Sequence, residues 1–139
     1  MKKILYVSIL FISVLFLSGC GNEVTSDSNE TLEKDNTVTI YFFMSEFCLQ
    51  CREISLILDE LLLVHEFIEV VEYDILINDN EILFLNVSEY FQCENNIIPY
   101  VIVGEYDFKG SYEIENELEE ILISYRRSKD YIDVIEDLI

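Results

Sequence analysis

The chain has 139 residues, of which 28 are aspartate or glutamate and 8 are lysine or arginine, so its formal net charge is −20. This length allows one ordinary domain rather than two, and the negative charge argues against a protein that binds nucleic acid or an anionic membrane face. Because 51% of the residues are hydrophobic, the composition also argues against a disordered acidic chain and predicts a small, folded, very acidic domain.

The N-terminal segment has the pattern of a secretory signal. Lys2 and Lys3 precede an apolar run from Ile4 to Leu17, which only Ser8 and Ser13 interrupt. A basic segment followed by a short apolar run is typical of a signal peptide. The run is also shorter than the roughly 20 residues that a stable transmembrane helix needs. The sequence therefore predicts that the domain is exported from the cytoplasm.

Leu17-Ser18-Gly19-Cys20 resembles the bacterial lipobox at each of its positions. The resemblance implies that residues 1–19 are a lipoprotein signal peptide and that Cys20 is lipidated after cleavage. The acyl chains would then anchor the protein to the outer face of the bacterial cell membrane. The alternative is an uncleaved signal anchor with an incidental cysteine. Residues 20–36 are nearly free of apolar side chains and predict a flexible linker that spans about 20–25 Å.

Strands and helices are predicted to alternate from residue 37 onwards. Thr37–Phe43 is dense in β-branched and aromatic residues and predicts a strand that is buried on both faces. Apolar residues at helical spacing predict a helix over Arg52–Phe67, and Ile68–Asp74 predicts a second strand. Asp79 is expected to cap a helix that runs to about Phe91.

The rest of the chain predicts a hairpin and a last helix. Tyr100–Val103 and Tyr106–Lys109 predict two short strands joined by a turn. Glu113–Arg127 predicts a helix with acids at its start and arginines at its end, as the helix dipole favours. Ser128–Ile139 is amphipathic and either continues this helix or begins another. The order β-α-β-α-β-β-α predicts an α/β fold with one four-stranded mixed sheet flanked by helices.

Two cysteines follow the first predicted strand at a spacing that can close a small disulfide. Cys48 and Cys51 stand at the start of the first predicted helix. A helix N-terminus stabilises a thiolate on the leading cysteine and makes it a nucleophile. The second cysteine, one turn later, can attack a mixed disulfide and release the product. This arrangement predicts Cys48 as the attacking thiol and Cys51 as the resolving thiol.

Residues 46–52 (EFCLQCR) and 98–104 (IPYVIVG) resemble the active-site segment and the cis-proline strand of the thioredoxin family. The resemblance extends over essentially all of residues 37–139. It implies a thioredoxin-like fold and a redox-active pair of cysteines that needs no dissociable cofactor. It also implies a cis peptide bond before Pro99, with Ile98 and Pro99 shaping a substrate groove, and it places Phe47 where the family usually has an aromatic residue.

The chain departs from the family pattern at two places. The dipeptide Leu49-Gln50 between the cysteines differs from that of typical thioredoxins and of the periplasmic oxidases. Phe42 occupies the position where the family often has a buried aspartate that accepts a proton. Glu46 is the nearest acid in sequence and is the candidate for a proton relay. These departures leave the direction of electron flow open. The resemblance to extracytoplasmic members of the family favours reduction or isomerisation over oxidation.

The resemblance implies a thiol–disulfide oxidoreductase that acts on cysteine-containing exported proteins, and a reductase would also need a membrane redox partner. One alternative is a binding or assembly module that keeps the fold without turnover. Another is a metal-handling protein, but the remaining ligands would be Cys93 and His65, and His65 is predicted about 20 Å from Cys51 along the helix. No metal site is therefore predicted. Cys93 is either a small buried hydrophobe or a further resolving or intermolecular thiol.

Overall fold

The computed structural model describes residues 37–139, so the predicted signal peptide, the lipidation site at Cys20 and the linker lie outside the described residues. Within the described range the chain forms four strands and three helices. In chain order they are β1 (Val38–Met44), α1 (Leu49–Val64), β2 (Ile68–Asp74), α2 (Asn78–Tyr90), β3 (Tyr100–Val103), β4 (Tyr106–Lys109) and α3 (Gly110–Ser128). None of the helices in this range is long and apolar enough to cross a membrane.

The four strands form one mixed sheet in the order β2-β1-β3-β4. β1 and β2 run parallel, with Val38 opposite Ile68, as the crossover through α1 requires. β3 runs antiparallel to β1, with Tyr100 opposite Phe43, and β4 pairs antiparallel with β3. The predicted four-stranded mixed sheet is confirmed, and its strand order with the intervening helices is the thioredoxin-like α/β fold.

Both faces of the sheet are covered, because consecutive side chains of β1 point to opposite sides. On one face, Phe42 packs in a cluster with residues of α1 and α3, such as Leu58 and Leu118. On the other face, Phe43 packs with Phe84 of α2 and with the C-terminal segment. The first six residues of β1 are buried, which confirms the predicted strand with two buried faces.

Two helices begin earlier than the apolar pattern predicts. α1 begins at Leu49 rather than Arg52 and ends at Val64 rather than Phe67, and Cys48 is its N-cap. α3 begins at Gly110 rather than Glu113. The first turn of α1 is exposed except for the buried Cys51, and α3 starts with Gly110 and Ser111, so the buried aliphatic side chains start only at Ile54 and Ile114.

Asp79 was predicted to cap α2, and this prediction is wrong. The N-cap is Ile77, which makes no side-chain capping bond, and the helix begins at Asn78. Asp79 and Glu81 instead lie within the first turn, where the exposed N–H groups and the helix dipole favour a negative charge. The end of β2 also supports the turn, since the Asn80 amide donates to the Asp74 carbonyl oxygen at 3.0 Å.

The C-terminal segment 129–139 neither continues α3 nor forms another helix. α3 ends where Lys129 adopts a left-handed conformation with φ 61°, and the chain then crosses to the other face of the sheet. Tyr41 donates its hydroxyl hydrogen to the Asp133 carboxylate at 2.7 Å, and Ile135 is completely buried. Side-chain contacts with the sheet therefore hold this segment, and its backbone closes a single turn at the end, where the Leu138 N–H donates to the Ile135 carbonyl oxygen at 2.8 Å.

Candidate functional site

Cys48 and Cys51 form a disulfide at the N-terminus of α1, with 5.2 Å between their Cα atoms. The turn after β1 presents them, because the Cys48 N–H donates to the Ser45 carbonyl oxygen at 3.0 Å. The Cys48 sulfur in turn accepts the backbone N–H of Cys51 at 3.1 Å. The expected pairing of these two cysteines is confirmed, and the leading sulfur lies where the N–H groups of a helix end stabilise negative charge.

The two sulfur-bearing residues differ in their access to solvent. Cys48 is partly exposed, whereas Cys51 is 0% exposed and belongs to the core cluster between the sheet and α1. A molecule outside the protein therefore reaches the pair through Cys48. The disulfide can accept two electrons, and the reduced pair would offer one accessible thiol and one buried thiol.

Pro99 lies at the same end of the sheet as the disulfide. The peptide bond between Ile98 and Pro99 is cis, as expected. Since the next residue, Tyr100, pairs with Phe43 near the end of β1, Pro99 lies beside the point where the chain leaves β1 for Cys48. Ile98 packs against the core cluster that contains Cys51. The structure thus brings the two predicted segments together.

The residues just before the disulfide are exposed. Phe47 is 76% exposed, so its ring is free to contact another molecule. Glu46 is exposed as well, and its backbone carbonyl oxygen accepts a hydrogen bond from the guanidinium of Arg52 at 3.0 Å. The Glu46 carboxylate therefore faces solvent close to the disulfide in the chain.

The core beneath the disulfide contains no ionisable carboxylate among the described residues. Phe42 is 0% exposed, and the buried polar side chains of residues 37–139 are Thr39, Ser45 and Ser88. A proton leaving the Cys51 thiol must therefore pass through water or an acid at the surface, because the buried position six residues before Cys48 is apolar.

Ser45 is a site residue that the sequence reasoning missed. Its carbonyl oxygen accepts the N–H of Cys48 at 3.0 Å, and its buried hydroxyl oxygen accepts the N–H of Phe47 at 3.3 Å. Serine hydroxyls commonly bond to the backbone two residues later in turns. A serine directly after a buried strand and before the cysteines was the signal that could have found this turn.

Cys93 and His65 lie outside this pair. Cys93 is a free, buried cysteine that packs on the α2 face of the sheet, which confirms its interpretation as a small buried hydrophobe. His65 follows the last residue of α1 and is 2.9 Å from the Glu119 carboxylate. Within residues 37–139, no group of three or more cysteine, histidine or carboxylate side chains is arranged to hold a metal ion.

No model of a protein family matches the chain, and no curated protein matches it. Among solved structures, it is similar to the oxidised form of mitochondrial thioredoxin 3 from Saccharomyces cerevisiae, with 18% identity, a TM-score of 0.47, and coverage of 68% of this chain and 84% of that chain. A chain in a structure on the thiol-resolving mechanism of yeast mitochondrial 1-Cys peroxiredoxin via glutathione/thioredoxin systems has 16% identity, the same coverage and a TM-score of 0.48.

A third similar structure is that of a malarial protein, with 19% identity, a TM-score of 0.41, and coverage of 66% of this chain and 98% of that chain. These identities and scores are low. The assignment of the thioredoxin-like fold therefore rests on the strand order, the Cys48–Cys51 disulfide at a helix N-terminus and the cis bond before Pro99.

Proposed function

We propose that this chain is a thiol–disulfide oxidoreductase that is tethered to the outer face of a bacterial cell membrane and acts on cysteines of exported proteins. The observation that carries the proposal is the Cys48–Cys51 disulfide at the start of α1, with one partly exposed and one buried cysteine. The cis Ile98–Pro99 bond at the same end of the sheet supports it. Export and lipidation rest on residues 1–20 of the sequence alone.

The exchange balances without a cofactor. In the reduced chain, the Cys48 thiolate attacks one sulfur of a client disulfide, and the other client sulfur leaves as a thiolate that takes up a proton. Cys51 then loses its proton and attacks the Cys48 sulfur, which releases the second client thiol. The client gains two electrons and two protons, and Cys48 and Cys51 lose the same number as their disulfide forms. The oxidised chain runs these steps in reverse.

The neighbouring residues have distinct proposed roles. Phe47, Ile98 and Pro99 are assigned to a groove for the client segment, because Phe47 directly precedes Cys48 and the Ile98–Pro99 bond lies at the same end of the sheet, with Pro99 itself buried. Glu46 relays the proton of Cys51 to solvent, since the buried side chains beneath the pair include no carboxylate among the described residues. These roles follow from position and, for Glu46 and Phe47, from exposure.

Reduction or isomerisation of client disulfides is the favoured direction. A tethered domain outside the cytoplasm cannot draw electrons from the cytoplasm by itself. A reductase of this kind therefore needs a membrane redox partner that returns the Cys48–Cys51 disulfide to the dithiol. An isomerase needs no net supply of electrons, because each client disulfide that is broken is replaced by another.

The first experiment equilibrates the full chain, in a neutral detergent, with glutathione buffers of graded potential and counts free thiols by alkylation and mass. We expect Cys48 and Cys51 to be oxidised together, and Cys93→Ala as a matched control should leave the transition in place. A midpoint of about −270 mV would indicate a reductant, and one of about −120 mV an oxidant. If no disulfide forms between the two cysteines at any potential, the proposed oxidoreductase function is wrong.

A second experiment separates turnover from mere binding. Cys51→Ser should accumulate a mixed disulfide between Cys48 and a client, because the resolving thiol is gone, whereas Cys48→Ser should not. A binding or assembly module would keep its cellular role in the Cys48→Ser variant. Complementation of a deletion strain with that variant therefore decides between the two functions.

The tether has its own test. Cells fed a labelled fatty acid should incorporate the label into the wild-type chain, and Cys20→Ala should abolish both the label and recovery in the membrane fraction. Cys93→Ala controls for the loss of any cysteine. If Cys20→Ala is still membrane-bound, the uncleaved signal anchor is the better explanation of residues 1–20.

A further inference from the structure

Bulky apolar side chains are exposed at the end of the sheet that carries the disulfide. We call them the apolar rim, and they are between 40% and 76% exposed: Phe47, Leu49, Leu76, Ile77 and Ile97. Phe47 and Leu49 flank Cys48 in the chain. An exposed apolar set of this kind marks a surface that contacts other molecules.

Hydrogen bonds of the backbone bring these segments to one end of the sheet. The Ile75 N–H donates to the Met44 carbonyl oxygen at 3.0 Å, which holds the chain after β2 against the end of β1. The Ile98–Pro99 segment enters the sheet at this same end, since Tyr100 pairs with Phe43. The rim residues therefore lie at the disulfide end of the sheet: Phe47 and Leu49 at the start of α1, Leu76 and Ile77 before α2, and Ile97 before β3.

The charged side chains at this end of the sheet, including those in the first turns of α1 and α2, are mostly acidic. Glu46, Glu53 and Asp79 are exposed, and Asp74 is partly exposed. Two cations of the described residues lie at this end. The guanidinium of Arg52 donates to the Glu46 carbonyl oxygen at 3.0 Å, and the partly exposed Lys109, opposite Tyr100 in the sheet, forms an ion pair with Asp107 at 2.6 Å. The other arginines of the described chain, with one of its lysines, lie at the C-terminal end of α3: Arg126, Arg127 and Lys129.

We propose that the segment that reacts with Cys48 is cationic and carries a bulky apolar residue next to its cysteine. The inference rests on the proposed function, because the rim is the surface across which a client must approach the Cys48 sulfur. Apolar side chains on the client gain by leaving water against the rim. Lysine or arginine on the client is drawn to Glu46, Glu53 and Asp79, which also repel acidic segments.

Four peptides of equal length, each with one cysteine in a mixed disulfide with neutral thiopyridine, test this inference. Their flanking residues are lysine with phenylalanine, glutamate with phenylalanine, lysine with serine, or serine alone. The reduced full chain in a neutral detergent attacks the peptide sulfur, and the coloured thiopyridone that leaves reports the second-order rate. The rates are measured at ionic strengths of about 0.01 M and about 1 M, where charges are screened beyond about 30 Å and about 3 Å.

We expect the lysine–phenylalanine peptide to react about tenfold faster than the glutamate–phenylalanine peptide at low ionic strength, and this ratio to approach one at high ionic strength. The lysine–phenylalanine peptide should also react faster than the lysine–serine peptide at both ionic strengths, because apolar contact is not screened by salt. The double variant Glu53→Gln, Asp79→Asn should lower the charge preference. The double variant Glu136→Gln, Asp137→Asn changes the net charge equally at exposed residues near the starts of β1 and β2, at the opposite end of the sheet, and should lower the charge preference less.

The apolar part has a matched pair of variants. Leu76→Ser should remove most of the advantage of phenylalanine, whereas Leu63→Ser should not, because Leu63 is 86% exposed near the other end of α1. If all four peptides react alike while a small neutral disulfide still oxidises the chain, this inference is wrong and the proposed function stands. If the small disulfide does not react either, both fail. Equal losses in the two charge variants would also overturn it, since the preference would then come from net charge alone.

Discussion

Ile135→Ala is expected to destabilise the domain by about 3 kcal/mol, even though Ile135 lies in a segment without regular secondary structure. The side chain is 0% exposed and packs with Phe84 and Val87 of α2. Alanine removes three carbon atoms, each worth about 0.8 kcal/mol of apolar burial, and leaves a cavity that adds to the cost. Replacing a fully buried isoleucine by alanine lowers the free energy of unfolding by about 2–5 kcal/mol, so the expected loss at Ile135 lies in the lower half of that range.

The measurement is denaturant unfolding of the oxidised full chain, followed by far-ultraviolet circular dichroism because the chain has no tryptophan. Ile132→Ala is the matched control, since Ile132 is 59% exposed in the same segment and should change the free energy of unfolding by about 0.5 kcal/mol at most. In thermal unfolding, the loss at Ile135 corresponds to about 12–24 °C for a domain of this size. If both variants lose less than about 1 kcal/mol, the reasoning that the C-terminal segment completes the core is wrong.

Further predictions concern two glycines, two tyrosines and the free cysteine. Both Gly104 and Gly110 have positive φ, so Gly110→Ala should cost about 1–2 kcal/mol of stability. Gly104→Ala should cost more, because an added Cβ at Gly104 would lie 2.5 Å from a tyrosine hydroxyl, whereas one at Gly110 would contact nothing. Burial raises the pKa values of Tyr41 and Tyr131 above the ordinary 10.0. The unfolded chain therefore releases these protons first, so the stability that the two buried tyrosines contribute is complete below about pH 10 and is lost as the pH rises further. The midpoint of urea unfolding should fall with pH above about pH 10, and less steeply in Tyr41→Phe. Unchanged midpoints above pH 10 would contradict this prediction. Cys93 should react with alkylating reagents only at the rate of global unfolding, because it is buried, and rapid labelling of the native chain would refute this.

The local sequence pattern was sufficient to predict the bounds of three strands. The predicted bounds of β2, β3 and β4 coincide with the observed strands, because β-branched and aromatic residues recur in each and an acidic residue or a glycine marks each end, at Asp74, Gly104 and Gly110. The helix starts were less accurate. α1 begins at Leu49, with the Cys48 sulfur as the capping acceptor, and a cysteine is not among the residues that signal an N-cap in sequence.

Some residues of the candidate site could be found from the sequence, and others only from the structure. Cys48, Cys51 and Pro99 stand out in the sequence by residue type and spacing, and no other proline competes for the cis position. The contribution of Ser45 does not stand out, because its hydrogen bond to Phe47 depends on how the turn after β1 folds. The apolar rim is likewise invisible in the sequence, because it collects side chains from three separate segments.

By itself, the sequence determined the α/β order, the pairing of the two cysteines and the acidic balance of the chain, since each depends on neighbours along the chain. The tertiary structure alone decided that Asp79 leaves the capping position to Ile77 and that residues 129–139 cross the sheet without helical structure. An amphipathic segment such as this one can bury its apolar side as a helix or in an irregular path. The available partners, here the Tyr41 hydroxyl for Asp133 and an apolar site for Ile135, select between them, and they exist only once the sheet has formed.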